Sequence, residues 1–258
     1  MRRSSARDPS ARLLWGMPFG VVALLLAGCA APAPEQKLSL HVGEIALEAG
    51  VPQAALAAAR RRLATDSEDV RALVMQGEAL ATTGETAMAA ASLRHAVAVA
   101  PHDFAAQFEL GRVLLTQGKP EEAERALRAA VQVQPAEPRA LTDLGIALDL
   151  QEQHAAAQAQ YRAAAAAAPG LPGPQVNMAL SLALSGQAGP AVQMLEPLAA
   201  QPDAPRRLRH DLATALALNG DRAGAEALLK PDLAPAQVAQ TMLAYTALQE
   251  DAPPGQGK

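Results

Sequence analysis

Five histidines and one cysteine are the side chains of this chain best suited to acid–base, nucleophilic or metal chemistry. His102 precedes Asp103 and His210 precedes Asp211. An imidazole held by a carboxylate could relay a proton. Neighbours in sequence point roughly 100° apart on a helix, however, and do not face each other. His41, His95 and His154 lie in separate stretches. No G-x-S-x-G, no glycine loop that would cradle phosphate, no H-E-x-x-H and no cysteine pair occurs. The expectation is a protein that binds rather than catalyses, with no metal and no cofactor.

The single cysteine, Cys29, excludes an internal disulfide, and its surroundings carry the information. Arg2, Arg3, Arg7 and Arg12 form a basic start, residues 13–27 are apolar and uncharged, and Leu26, Ala27 and Gly28 precede the cysteine. This run is shorter than the roughly 20 residues a spanning helix needs, and it contains Pro18. Residues 1–28 therefore read as a signal peptide. Its end resembles the bacterial lipobox, which implies acylation of Cys29 after cleavage. Arg2 and Arg3 lack the apolar context of a twin-arginine signal, so Sec export is expected. Ala30, where an aspartate would imply retention at the inner membrane, points to the periplasmic face of the outer membrane. Residues 29–35 are then the lipidated cysteine and an Ala/Pro tether.

Removing residues 1–28, which carry four arginines and one aspartate, takes the formal charge from −4 to −7. An acidic body without a basic stripe is a poor nucleic-acid binder, because affinity there comes from neutralising phosphates. The triplet Arg60, Arg61, Arg62 is a local exception near a helix C-terminus, where cations are favoured.

The elements that would position any binding residue are helices. Half of the residues are hydrophobic but only 2% are aromatic, so the apolar content is mainly the helix formers Ala and Leu. A 34-residue frame starting at Gln36 recurs at Val70, Phe104, Pro138, Pro172 and Arg206. Its eighth position reads Gly43, Gly77, Gly111, Gly145, Ala179, Ala213, and its twentieth is alanine in all six units. The eleventh reads Leu80, Leu114, Leu148, Leu182 and Leu216 from the second unit onward, and the twenty-fourth Leu93, Leu127, Tyr161, Leu195 and Leu229. Glycine recurs at the fifteenth, where a chain leaving a helix needs a left-handed residue, with Glu152 as the exception. The pattern predicts burial of Leu80, Leu114, Leu148, Tyr161 and Leu216, and close helix crossings at Gly77, Gly111 and Gly145.

These positions resemble the tetratricopeptide repeat. The resemblance implies an all-α superhelical solenoid of about six helical hairpins over residues 36–230, a capping helix over 231–249 and a polar tail over 250–258. The fourth position departs from the family's large apolar residue at Gln107, Gln175 and Arg209. In such stacks the first helix of each unit lines the concave face, through its second, sixth, ninth and thirteenth positions. The early units offer a mixed polar set, including Glu78, Glu109 and Arg112. The later ones offer an apolar strip with polar borders: Arg139, Asp143, Ile146 and Leu150, then Asn177, Leu180 and Leu184, then Arg207, Asp211 and Leu218. The residues chosen for a peptide groove are Arg139, Asp143, Ile146, Asn177, Leu180, Leu184, Arg207 and Asp211. Asn177 resembles the asparagine with which some members of the family clamp a peptide backbone. The alternative is that Leu150, Leu184 and Leu218 pack against a neighbouring unit.

The order of signal, lipobox, tether, repeats and a closing Asp232, Leu233, Pro235, Ala236 segment is similar to the TadD family, repeat lipoproteins of the tight-adherence (Tad/Flp) pilus. That similarity implies a pilotin-like role in support of the secretin, with the secretin as partner and the membrane reached through lipid. The alternative is a periplasmic adaptor for cell-wall hydrolases or type IV pilus biogenesis.

Overall fold

The computed structural model describes residues 40–251, and side chains as far as residue 249. The expected signal peptide, Cys29, the tether and residues 252–258 of the expected tail lie outside the described residues. Among the described residues there are thirteen helices and no strand. The first helices of successive hairpins are α1 (Leu40–Glu48), α3 (Val70–Thr82), α5 (Phe104–Thr116), α7 (Pro138–Asp149), α9 (Pro172–Leu184) and α11 (Arg206–Leu218). The second helices are α2 (Pro52–Leu63), α4 (Thr86–Val99), α6 (Pro120–Val133), α8 (His154–Ala167), α10 (Ala188–Ala199) and α12 (Arg222–Leu229), and α13 (Pro235–Asp251) follows alone. From α3 onward each first helix begins on a frame start, and every second helix begins sixteen residues after a frame start. The chain is the expected all-α solenoid.

Local chemistry explains this regularity. Asp69 and Asp103 cap α3 and α5 by accepting the amides of Ala72 and Ala106, which would otherwise be unpaired. Proline in the first turn of α2, α6, α7 and α9 costs no hydrogen bond there. Each first helix closes with the same pair of bonds, for example Gly84 N–H to Ala81 O and Glu85 N–H to Leu80 O. That closure puts the fifteenth residue at positive φ, from 67° at Gly118 to 89° at Gly220, and Glu152 takes φ 61° in the same place.

The core is a ribbon between the two layers of helices. Ala55, Ala89, Ala123, Ala157, Ala191 and Ala225, all at the twentieth position, are wholly buried. Leu80, Leu114, Leu148 and Tyr161 are buried as expected. A Cβ on Gly77 or Gly111 would stand 2.5 Å from Cγ of Leu93 or Leu127, and one on Gly145 would strike the Tyr161 ring. These are the close crossings. Leu216 corrects the expectation, being only half-buried. Its hairpin closes with the eight-residue α12 in place of the fourteen-residue α8 of the fourth unit, and only one further helix follows. Less protein is available to cover it.

Two of the three polar departures at the fourth position are satisfied within the fold. Gln107 is buried and donates to Pro101 O at 2.9 Å, and Arg209 donates to both oxygens of Asp232 at 2.9 and 3.0 Å. The end of the array is closed by α13, which buries Val238, Met242 and Tyr245 against Ala213, Ala217, Ala225 and Leu229. These three sit one or two turns apart on one helix face. No helix among the described residues is long and apolar enough to cross a membrane.

Candidate partner-binding cleft

Residues at the sixth position of α7, α9 and α11, namely Asp143, Asn177 and Asp211, are half-buried and line one cleft of about 560 Å³. Ile146 from α7 and Arg207 from α11 join them. Five of the eight residues chosen from sequence are thus brought together by the stacking of three hairpins. The other three are not in the cleft. Arg139 lies over the Phe108 ring at 4.9 Å, Leu180 is half-buried and not part of the lining, and Leu184 is 36% exposed. Of the leucines that could have packed on a neighbouring unit, Leu218 does so partly, whereas Leu150 is 58% exposed.

One wall of the cleft was missed. Leu198 and the turn residues Gln201, Asp203, Ala204 and Pro205 form it. The α10–α11 connection has six residues where the three preceding junctions have four. Pro202 and Pro205 mark that longer turn in the sequence. First-helix positions alone do not reveal that it reaches this cleft.

A second cleft, of about 450 Å³, lies among the earlier units and is lined by Glu78, Glu109, Arg112 and Arg139. From sequence, Glu78, Glu109 and Arg112 read only as part of a mixed polar set, and Arg139 is assigned to the later groove. Stacking gathers them: Arg112 donates to Glu109 at 2.9 Å and stands 3.9 Å from Asp143, while Arg112 and Arg139 both approach the face of buried Phe108. Burial, with the Glu109 charge adding to it, pushes the Glu78 carboxyl up to about 7. Burial raises Asp143 to about 6, against the pull of Arg112 and Arg139. It likewise raises Glu109 against Arg112, and Asp211 against Arg207.

His154 and His210 pair with carboxylates inside the fold, and His95 and His102 are exposed. Asp103 caps α5, and His210 meets Asp232 at 3.2 Å rather than its neighbour Asp211. His154 meets Asp149 at 2.9 Å. Among the described residues no group of three or more His, Cys, Asp and Glu is arranged to hold a metal ion. The later cleft offers instead a carboxamide, carboxylates, one guanidinium and an apolar floor. That combination can fix an extended peptide through area and directed hydrogen bonds.

Comparison with known proteins agrees with this architecture. Two tetratricopeptide-repeat family models match, one at residues 84–124 and 108–172 and the other at 70–95 and 206–231. Together they span half of the chain. No match is found among curated proteins. Among solved structures the fold is similar to PilF of Pseudomonas aeruginosa, with a TM-score of 0.65 and 21% identity over 80% of this chain and 95% of that one. It is also similar to a repeat protein of Thermus thermophilus, with a TM-score of 0.55 and 21% identity over 69% of this chain and 96% of that one. YrrB, described as having an unusual peptide-binding site, gives a TM-score of 0.55 and 16% identity over 75% of this chain and 96% of that one. At these identities the likeness concerns the fold. With the matched repeats, the 34-residue frame and the stacked hairpins in agreement, the chain belongs to the tetratricopeptide-repeat family.

Proposed function

We propose that this protein is an outer-membrane-anchored periplasmic scaffold that holds a segment of a pilus-assembly partner, the secretin, in its later cleft and so supports secretin assembly in the manner of a pilotin. The observation that carries the binding role is Asn177. Its carboxamide lines an apolar cleft and has no hydrogen-bond partner among the described residues. A half-buried amide without a partner gains when a peptide backbone supplies one. YrrB, which is similar in fold, is described as having an unusual peptide-binding site. The similarity to TadD and the lipobox ending at Cys29 support the pilus role and the anchor.

Three experiments test this. Replacing Asn177 by Ala should weaken partner binding about tenfold or more, since one hydrogen-bonded pair is lost and the partner groups are left unpaired. Deleting the gene should lower secretin multimers in outer membranes; unchanged multimers and surface pili would remove the pilotin role. Cys29→Ser should abolish palmitate labelling and leave an unprocessed or soluble protein. Equal labelling of both forms would remove the anchor.

A further inference from the structure

The cleft between α7, α9 and α11 has an apolar floor and a rim with an excess of negative charge. Ile146, Val176, Leu198 and Leu208 supply the floor. Asp143, Asp203 and Asp211 stand around it, and Arg207 is the one cation among the lining residues. Asp211 makes no ion pair or side-chain hydrogen bond among the described residues, and Asp143 has only the distant Arg112 at 3.9 Å. Both are half-buried. The groups that face them from the packed helices are Arg112 on α5, Arg139 on α7, and Arg207 and His210 on α11, with Glu109 opposing near Asp143. Burial holds both carboxyls above their ordinary range, as expected of charges that have lost water without gaining a full partner.

Such a rim selects by sign. A cation arriving beside a half-buried carboxylate replaces the water it lost, whereas an acidic neighbour would add a third or fourth like charge at short range. We propose that the cleft takes an extended segment in which an apolar side chain lies next to a lysine or arginine, the apolar group on the floor and the cation against Asp143 and Asp211. This rests on the peptide-holding role set out above and adds the chemistry of the segment held.

The test uses the full chain in detergent, panned against displayed random peptides, with the selected peptides then made and measured in solution. Selected peptides should carry an apolar residue beside Lys or Arg, and replacing that cation by Glu should weaken binding about tenfold or more. Asp211→Lys should weaken the parent peptide and rescue the Glu-bearing one. Asp203→Asn, on an exposed turn, should give a smaller loss in the same direction with folding intact, which circular dichroism would verify. Peptides that need Asn177 but are indifferent to the sign of the flanking charge, or prefer Glu, would overturn the proposal while leaving the groove in place. If no selected peptide loses affinity in Asn177→Ala, the groove itself is lost and this proposal with it.

Discussion

Ser181 donates a hydrogen bond to Asp149 at 2.7 Å, tying the fourth hairpin to the fifth. The same carboxylate accepts the Tyr161 hydroxyl at 2.9 Å and meets His154 Nδ1 at 2.9 Å. Ser181 and Tyr161 are buried. From the second hairpin onward, the positions of Ser181, Asp149 and Tyr161 carry only apolar residues in the other units: Ala79, Val113, Ala147 and Ala215; Ala81, Leu115, Ala183 and Ala217; Leu93, Leu127, Leu195 and Leu229. Three polar departures from the repeat thus satisfy one another. Burial, reinforced by Asp149, holds the Tyr161 hydroxyl well above its ordinary value, so it stays a donor.

Removing the shared acceptor should therefore be costly. Asp149→Ala leaves two buried hydroxyls without it and is expected to destabilise the array by about 2 to 4 kcal/mol, while Tyr161→Phe alone should cost about 1 kcal/mol. Adding Tyr161→Leu and Ser181→Ala to Asp149→Ala restores the residue types of the other units and should recover most of the loss. Urea denaturation of the four proteins checks this. A triple variant no more stable than Asp149→Ala would show that the tie is not the source of the cost.

Gly111 marks one of the tight helix crossings and can be probed by a single substitution. A Cβ there would fall 2.5 Å from Cγ of Leu127, so Gly111→Leu should overpack the crossing and cost roughly 1 to 3 kcal/mol. Shortening the partner with Leu127→Ala should recover part of that in a double variant. Thermal melts decide it, and an unchanged midpoint in Gly111→Leu would refute the close crossing.

Glu152 is the one non-glycine at positive φ among the described residues. The left-handed region costs a residue with a Cβ about 1 kcal/mol. Glu152→Gly should raise stability by several tenths of a kcal/mol to about 1 kcal/mol, part of the gain being offset by the greater freedom of glycine in the unfolded chain. A lower thermal midpoint in the variant would contradict this.

Stability should also depend on pH in a defined window. Glu78, pushed by burial and by Glu109 from 4.5 up to about 7, keeps its proton in the folded chain where the unfolded chain has released it. Asp143, raised by burial from 3.8 to about 6, behaves alike. Each contributes stability that is fully present below its unfolded value and is lost as pH rises through the folded one. Glu44 and Glu122, held low by hydrogen bonds from Arg71 and Arg94, act oppositely, and their contribution is lost only as pH falls below the ordinary carboxylate range. The thermal midpoint should therefore decline from about pH 5 to about pH 7.5, and Glu78→Gln should flatten the decline. A midpoint that rises across that window would refute the assignment.

The repeat frame was legible in the sequence because its physics is local and periodic. A left-handed residue at the fifteenth position, a small residue at the eighth and an alanine at the twentieth each answer a steric demand that recurs with the backbone geometry. The starts of α3 to α12 follow from that spacing. The sixth positions of the first helices could be read off the same frame, and the stacking brings Asp143, Asn177 and Asp211 to one cleft.

What only the tertiary structure decided is what meets what across hairpins. Leu180 and Leu184 share the periodicity of the cleft residues, yet the stacking leaves them out of the lining, while the turn at residues 201–205 supplies a wall that no helical period foretells. Glu78, Glu109 and Arg112 looked like an ordinary polar face until superposed repeats brought them into one charged cleft with Arg139. Asp149, Tyr161 and Ser181 stand at three different positions of the frame, and only the packing of hairpins joins them. Periodicity specifies the face on which a side chain lies, but the distance between side chains on different repeats depends on how the hairpins pack, and that packing is a property of the whole array.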